Sequence, residues 1–316
     1  MIMKRREWDL NPQSQRDGLS RPAQYQIMRP RQVDIKKKYL FLIVFLLFPI
    51  NLNNNSTISF FMYIIINGLK TWVNIFGNNK KPVLVYLHGW GTNNSHNSFF
   101  GNKQVFEVLS KHFYVIAPEH PGFIRSECPK KPWNMSDFAK HTNLVLEELK
   151  INSFILFGYS LGGTIASKYA YLFPKKVKKL ILVNPATDVR VKNLSYAKKI
   201  ISSEFIYRLK TFSLKWKKYL ISFFFGVPKN LVTKNNALNW INLVNSDFKP
   251  RVNYSKIIPK TYLFWSKNDG FVTPFRDSSK YKDKVDFFFE LDGNHVIIHS
   301  KPEIINFILR KAGLPK

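Results

Sequence analysis

The chain has 316 residues and a mass of 37.1 kDa, which suits one large domain or two ordinary ones. Hydrophobic residues make up 45% and aromatic residues 16% of the chain, so it can bury a sizeable core and general disorder is excluded. The formal net charge is +29, but the lysines are scattered and no nucleic-acid-binding motif is found, which favours a compositional bias. The single cysteine, Cys128, excludes an internal disulfide and a cysteine-rich zinc site.

Residues 1–61 differ from the rest of the chain. The basic triplet Lys36–Lys38 precedes an apolar run, residues 39–50, which is shorter than the ~20 residues that a membrane span needs. Three interpretations stay open: an over-read or disordered extension ahead of a start at Met62, a weak membrane anchor through residues 39–66, and a signal peptide. We expect a cytoplasmic protein, with membrane association through this segment as the alternative.

From Met62 onward, apolar strands alternate with helices. Strands are predicted at 62–66, 71–76, 83–87, 113–117, 153–157, 177–183, 261–265 and 285–289, and helices at 99–111, 136–150, 161–173 and 302–311. Asn67-Gly68 indicates a hairpin between the first two strands, and Ser136 is predicted to cap its helix. Buried strands that alternate with helices predict an α/β fold with a mostly parallel sheet flanked by helices.

Residues 186–256 interrupt this alternation. They are helix-like and aromatic, and they carry 14 Lys and Arg against three Asp and Glu. No strand pattern is clear within them, so they are predicted to form an insertion between two strands. The predicted domains are an N-terminal extension at 1–61, a core at 62–185 and 257–316, and this inserted segment.

The segment Gly158–Gly163 reads Gly-Tyr-Ser-Leu-Gly-Gly and contains a Gly-x-Ser-x-Gly motif between a predicted strand and a predicted helix. A tight strand-to-helix turn of this kind lifts the Ser160 hydroxyl above the edge of the sheet. Gly158 and Gly162 remove side chains that would collide with neighbouring backbone, and Gly163 lets the helix pack close to the sheet. The motif predicts a nucleophilic serine.

A serine hydroxyl needs a base, and seven histidines are available. His295 follows the last predicted strand, so it reaches the same sheet edge as Ser160. His299 is the alternative, although it lies closer to the closing helix. His88, which precedes a glycine at a strand end, is better explained by packing or loop organisation.

The histidine in turn needs a carboxylate to orient it. Asp269 follows the strand predicted at 261–265 and is placed to reach the imidazole from the neighbouring strand end. Asp188 is the second candidate, and Asp292 is more typical of a turn former. Asp269 is therefore the predicted third member.

The order Ser160, Asp269 and His295, with His88–Gly91 after an early strand, resembles the α/β-hydrolase superfamily. The resemblance covers about residues 62–316. The motifs are most similar to those of the small esterase-like branch, which includes the pimeloyl-acyl-carrier-protein methyl ester esterases. This resemblance implies an α/β-hydrolase fold with an inserted helical cap.

The resemblance also implies roles for individual residues. The backbone N–H groups of Trp90 and Leu161 would form the oxyanion hole, and residues 186–256 would be the cap. The supporting motif residues would be His88, Gly89, Gly91, Gly158, Gly162 and Gly163. One loop departs from the family pattern Asp-x-Pro-Gly-x-Gly-x-Ser, because Glu119 replaces the Asp and Ile124 replaces the second Gly.

These features together predict a serine hydrolase that cleaves a carboxylic ester or a related acyl substrate through a Ser-His-Asp triad, without a metal or organic cofactor. A carbon–carbon bond hydrolase or lyase with the same triad, and a non-catalytic binding protein, are the alternatives. The expected partner is a small acyl substrate, with an acidic carrier protein as a further candidate and no nucleic acid. The physiological substrate and the oligomeric state are not determined by the sequence.

Overall fold

The computed structural model describes residues 44–46, 59–90, 102–186, 203–249, 251–270 and 279–315. In this part of the chain, nine strands form one sheet in the order β1-β2-β3-β5-β4-β6-β7-β8-β9. The strands are β1 Val44–Leu46, β2 Ser59–Ile66, β3 Leu69–Phe76, β4 Val83–Leu87, β5 Tyr114–Pro118, β6 Phe154–Tyr159, β7 Val177–Val183, β8 Lys260–Asn268 and β9 Phe287–Asn294.

The sheet has an antiparallel end and a parallel remainder. Strands β1, β2 and β3 pair antiparallel, and β3 also pairs antiparallel with β5. The predicted hairpin turn is present. Asn67 (51°) and Gly68 (77°) both have positive φ, because a two-residue hairpin turn must twist in the same sense as the strands that flank it. From β5 through β4, β6, β7 and β8 to β9 every pairing is parallel, which confirms the predicted mostly parallel sheet.

Helices follow the parallel strands. They are α1 Lys103–Ser110, α2 Met135–Glu148, α3 Leu161–Leu172, α4 at residues 203–211, α5 Leu214–Phe225, α6 Trp240–Val244, α7 Ile297–Ser300 and α8 Ile304–Lys311. The prediction that Ser136 caps α2 was wrong. Asn134 is the cap, because its side chain accepts from the Ser136 and Asp137 N–H groups while the Asp137 side chain accepts from the Asn134 N–H.

Two hydrophobic clusters lie on opposite faces of the sheet. One cluster includes Phe138 of α2 and Tyr169 of α3 together with buried residues of the inserted helices. The other includes Phe106 of α1 and Ile308 of α8. The sheet is therefore covered on both faces, as buried parallel strands require.

The predicted insertion between β7 and β8 is helical where it is described. Residues 203–249 contain α4, α5, α6 and short 3₁₀ turns, and no strand. The insertion packs on the core through buried side chains such as Ile221 and Phe225. The Trp240 Nε1–H group also donates to the Gly122 carbonyl at 2.9 Å, which ties α6 to the loop after β5.

The N-terminal part of the sheet begins before Met62. Strand β2 starts at Ser59, so the predicted boundary at residue 61 falls inside this strand, and Val44–Leu46 pairs alongside it. Among the described residues, no helix has both the length and the apolar character to cross a membrane.

Candidate active site

Ser160 lies in the sharp turn between β6 and α3. Its backbone is strained, with φ 52° and ψ −118°, a conformation that L-residues rarely adopt. A Cβ atom at Gly158 would lie 2.6 Å from the Gly162 carbonyl oxygen, and one at Gly162 would run into the Leu87 carbonyl. The Ser160 N–H donates to the Val183 carbonyl at 3.0 Å, which anchors the turn to β7.

The structure brings together the three side chains predicted to carry the chemistry. The Ser160 Oγ lies 2.9 Å from His295 Nε2, and His295 Nδ1 lies 2.7 Å from Asp269 Oδ2. All three residues are buried. Because a carboxylate only accepts, Nδ1–H donates to Asp269, which leaves Nε2 as the acceptor for the serine proton. This chain of hydrogen bonds is the geometry that general-base activation of a hydroxyl requires.

Two residues that the sequence reasoning missed hold the histidine loop. The His295 carbonyl accepts from the Tyr159 hydroxyl at 3.0 Å and from Asn184 Nδ2 at 3.0 Å. Asn184 is fully buried and also bonds the Ser266 backbone N–H and hydroxyl, at 2.7 and 2.9 Å. Their sequence signal is weak: Tyr159 precedes the serine, and Asn184 is a polar residue directly after a buried strand.

His88 organises the loop that follows β4, as predicted, and His120 is its partner. The His88 Nδ1–H group donates to the Gly89 carbonyl at 2.7 Å, and His88 Nε2 accepts the His120 backbone N–H at 2.9 Å. His120 Nε2 lies 3.0 Å from the His88 carbonyl. Burial lowers the pKa of His88 to about 4 and the pKa of His120 well below its ordinary value. Both rings are therefore neutral at physiological pH.

This pair of histidines places the backbone of Gly89 and Trp90 beside the serine. A Cβ atom at Gly89 would lie 3.2 Å from the Ser160 Cβ and 2.9 Å from the Tyr159 ring. The Gly89 backbone therefore approaches Tyr159 and Ser160 as closely as only a glycine permits. Gly91, also predicted as part of this motif, lies outside the described residues.

The loop that departs from the family pattern keeps its shape by other contacts. The buried Glu119 carboxylate accepts from the Arg125 backbone at 2.8 Å, the Arg125 guanidinium at 2.9 Å and Asn74 Nδ2 at 3.1 Å. Burial raises the pKa of Glu119 to about 7, although Arg125 acts in the opposite direction. Ile124 has φ 52°, so a β-branched residue adopts the left-handed backbone that a glycine would favour. Its N–H donates to the Phe225 carbonyl at 3.1 Å.

The alternative candidates lie elsewhere. His299 packs edge-on against the Tyr159 ring, with 5.0 Å between ring centroids. Asp292 is exposed and pairs with Lys267 at 2.7 Å, a contact that lowers the pKa of the Asp292 carboxyl. Asp188 lies outside the described residues.

The described residues contain no group of three or more His, Cys, Asp or Glu side chains placed to hold a metal ion. Cys128 is buried, and burial raises the pKa of its thiol, so the thiolate, which is the reactive form, is disfavoured.

Comparisons with known proteins point to one family. Residues 82–223 match the family model of the alpha/beta hydrolase fold. A serine hydrolase-like protein of Mus musculus is 33% identical over 119 residues, 37% of this chain and 35% of that protein. A pimeloyl-acyl-carrier-protein methyl ester esterase of Wigglesworthia glossinidia brevipalpis is 32% identical over 149 residues, 46% of this chain and 54% of that protein. The aligned regions thus span 35% and 54% of these two relatives.

Solved structures show the same fold. The crystal structure of an alpha/beta hydrolase enzyme from a Medee basin deep-sea metagenome library aligns with a TM-score of 0.62 and 16% identity, over 80% of this chain and 98% of that chain. The mostly parallel sheet with flanking helices agrees with this likeness, and the predicted fold class is confirmed. The chain therefore has the α/β-hydrolase fold, and its residues 82–223 match the model of that family.

Proposed function

We propose that the protein is a serine hydrolase that cleaves a carboxylic ester or a related acyl substrate. The observation that carries the proposal is the continuous hydrogen-bonded chain from Ser160 through His295 to Asp269. Such a chain serves acyl transfer, because the imidazole takes the serine proton as the oxygen attacks and the carboxylate stabilises the imidazolium that forms.

The proposed reaction runs in two halves. In the first, Ser160 Oγ attacks the substrate carbonyl while His295 takes its proton, and the resulting oxyanion accepts from the Trp90 and Leu161 backbone N–H groups. Collapse of this tetrahedral intermediate breaks the ester bond, and His295 protonates the leaving alcohol. In the second half, His295 activates a water molecule that hydrolyses the acyl-serine.

Support for the oxyanion donors comes from the surrounding backbone. Leu161 is the first residue of α3, so its N–H has no carbonyl partner within the helix. The Gly89–Trp90 backbone lies against Ser160, as the 3.2 Å approach of a Gly89 Cβ indicates. A helix N-terminus also provides positive potential for the developing charge.

We further propose that the insertion acts as a cap over the acyl part of the substrate. The Trp90 ring packs against Phe123 of the core at 5.0 Å and against Phe225 of α5 at 5.5 Å, both between ring centroids. These rings form an aromatic wall next to Gly89, whose backbone approaches Ser160, and such a wall suits an apolar chain better than a charged one. The esterase named among the relatives supports the ester class of substrate.

The test combines labelling with a substrate series. A fluorophosphonate should label the protein at Ser160, and p-nitrophenyl butyrate or hexanoate should exceed acetate several-fold in kcat/KM because each buried methylene contributes up to ~0.8 kcal/mol. Ser160→Ala should abolish labelling and lower kcat by several orders of magnitude, whereas Ser255→Ala, at an exposed serine, should change neither.

Two outcomes would contradict the proposal. Near wild-type ester hydrolysis by Ser160→Ala would exclude Ser160 as the nucleophile. Labelling without turnover of any ester, but with cleavage of a vinylogous diketone, would assign the same triad to carbon–carbon bond hydrolysis instead.

A further inference from the structure

Helices α4 and α5 of the insertion expose aromatic side chains to solvent. Phe223 is 73% exposed, Tyr207 61%, Trp216 54% and Tyr219 49%. On α5 the exposed rings at positions 216, 219 and 223 recur three and four residues apart, so they line one face of the helix. The buried residues of α5, Ile221 and Phe225, lie on the opposite face. Apolar side chains thus cover the face where a surface helix normally carries polar groups.

Three rings in this region are in contact. The half-buried Phe212, which precedes α5, lies 6.2 Å from Trp216 between ring centroids, and Trp216 lies 6.0 Å from Tyr219. Lys229 lies over the Tyr219 ring at 5.2 Å. We define the docking face as Tyr207 of α4, Phe212, and Trp216, Tyr219 and Phe223 of α5.

Basic residues flank the docking face. Residues 203–225 contain five Lys and Arg and one acidic residue, Glu204, which is paired with Arg208. Lys210 and Lys215 are exposed, and Lys217 and Lys218 are half-buried. Long lysine side chains beside apolar rings can keep their ammonium groups at the level of lipid phosphates while the rings enter the acyl boundary.

We propose that this face docks on the surface of an anionic lipid membrane. Trp and Tyr favour the interface between water and lipid, because one edge of each ring is polar and the remainder apolar. Basic side chains near an anionic surface add electrostatic attraction to it. The lysines match the anionic headgroups of such a surface, and the rings match its apolar acyl region.

Other occupants fit less well. An acidic protein would match the lysines but leave several large rings without an apolar counterpart. A second copy of this chain, paired through the same face about a two-fold axis, would bring two sets of basic residues together. The lipid surface therefore satisfies both the charge and the apolar area.

The docking face and the candidate active site share one helix. The Trp90 Nε1–H group donates to the Phe224 carbonyl at 2.8 Å, and the Phe225 ring packs against Trp90. Docking through the outer face of α5 would hold its inner face, and with it Ser160, close to the lipid. Membrane binding itself does not depend on the proposed hydrolase chemistry, so it is tested without substrate.

The experiment is sedimentation of the full chain with vesicles of phosphatidylcholine alone and of phosphatidylcholine mixed with phosphatidylglycerol. The triple variant Trp216→Ser, Tyr219→Ser, Phe223→Ser should bind the mixed vesicles at least about tenfold more weakly than the unmodified chain. The control variant Ile258→Ser, at a position 80% exposed outside the docking face, should bind like the unmodified chain. All comparisons retain residues 39–66, so a contribution from that segment cancels.

A second pair of variants tests the charge. Lys210→Gln with Lys215→Gln, at two exposed positions beside the docking face, should weaken binding to the mixed vesicles, whereas Lys80→Gln with Lys150→Gln should not. Unchanged binding by the triple variant would overturn the proposal, as would equal binding to both kinds of vesicle. Capture by immobilised poly-glutamate without any binding to vesicles would also overturn it, in favour of an acidic protein partner.

Discussion

The carboxyl edge of the sheet and the outer face of α5 are built in opposite ways. At the sheet edge, polar side chains such as Ser160, Asp269 and Asn184 are buried and joined by short hydrogen bonds. On α5, apolar rings such as Phe223 stand in solvent. Burial of polar groups is tolerated only when each has a hydrogen-bond partner. The hydrogen bonds therefore fix the positions of the side chains at the sheet edge. The helix face lacks such constraints and is open to a partner.

The difference separates two kinds of specificity. In the proposed function, the edge would determine which bond is attacked, because its distances leave room for few alternatives. The inserted helices would determine which substrate reaches that edge, through the rings that they present toward the core. Substitutions at the edge should therefore change stability and kcat, whereas substitutions on the outer face of α5 should leave both unchanged.

The largest effect on stability is expected for Gly162→Ala at the sheet edge. Its Cβ would run into the Leu87 carbonyl, a backbone atom that cannot move aside. We expect the free energy of unfolding to fall by about 3 kcal/mol or more. Urea denaturation measures it, with Gly270→Ala as the control because a Cβ there meets open space. Equal stability of the two variants would show that the edge is less constrained than its contacts indicate.

The second prediction concerns pH. Burial lowers the pKa of His88 and His141 to about 4 and lowers the pKa of His120 well below its ordinary value, whereas these groups titrate near 6.5 in an unfolded chain. As pH falls from 6.5 towards 4, the unfolded state takes up protons that the folded state does not, so the free energy of unfolding decreases. Glu119, whose pKa is raised to about 7, binds its proton in the folded state over this range and offsets one histidine.

His141→Gln isolates one of these groups. The variant keeps a side chain able to bond Thr71, which His141 contacts at 2.6 Å, and it should reduce the slope of unfolding free energy against pH by up to about 1.4 kcal/mol per pH unit. Urea titrations at several pH values between 4 and 6.5 provide the measurement. The segment 186–256 contains no histidine, so vesicle binding should change little over the same range. An unchanged slope would mean that His141 is protonated in the folded protein.

The smallest effect is expected for Tyr159→Phe. Loss of its hydroxyl removes one donor to the His295 carbonyl and keeps the Asn184 amide, at 3.0 Å. A hydrogen bond of this kind contributes about 0.5–1.5 kcal/mol, so we expect kcat for ester hydrolysis to fall by about 2- to 13-fold with little change in KM. Tyr219→Phe on α5 is the matched control and should retain full kcat. A larger change in KM than in kcat would assign Tyr159 to substrate binding instead of positioning.

The predictions from sequence succeeded where the signal is local. Alternation of apolar strands with helices predicted the sheet, and the range 177–183 coincides with β7. The Gly-x-Ser-x-Gly turn predicted the position of Ser160, because the serine and the glycines that the strained turn needs are adjacent in the sequence. The prediction failed at the cap of α2, where two polar residues, Asn134 and Ser136, compete within one turn and only backbone geometry decides between them.

The sequence by itself determined that Ser160, Asp269 and His295 follow one another along the chain, each after a strand of a parallel sheet. Only the tertiary structure decided the support around them: the pairing of His88 with His120, the bonds from Tyr159 and Asn184 to the His295 carbonyl, and the aromatic face of α5 turned to solvent. The physical reason is distance along the chain. The position of a polar residue at a strand end follows from the local sequence pattern and from the rule that parallel strands end at one edge of the sheet. The supporting contacts instead join residues 32 to 136 positions apart. Whether a helix face is covered depends on every element packed around it.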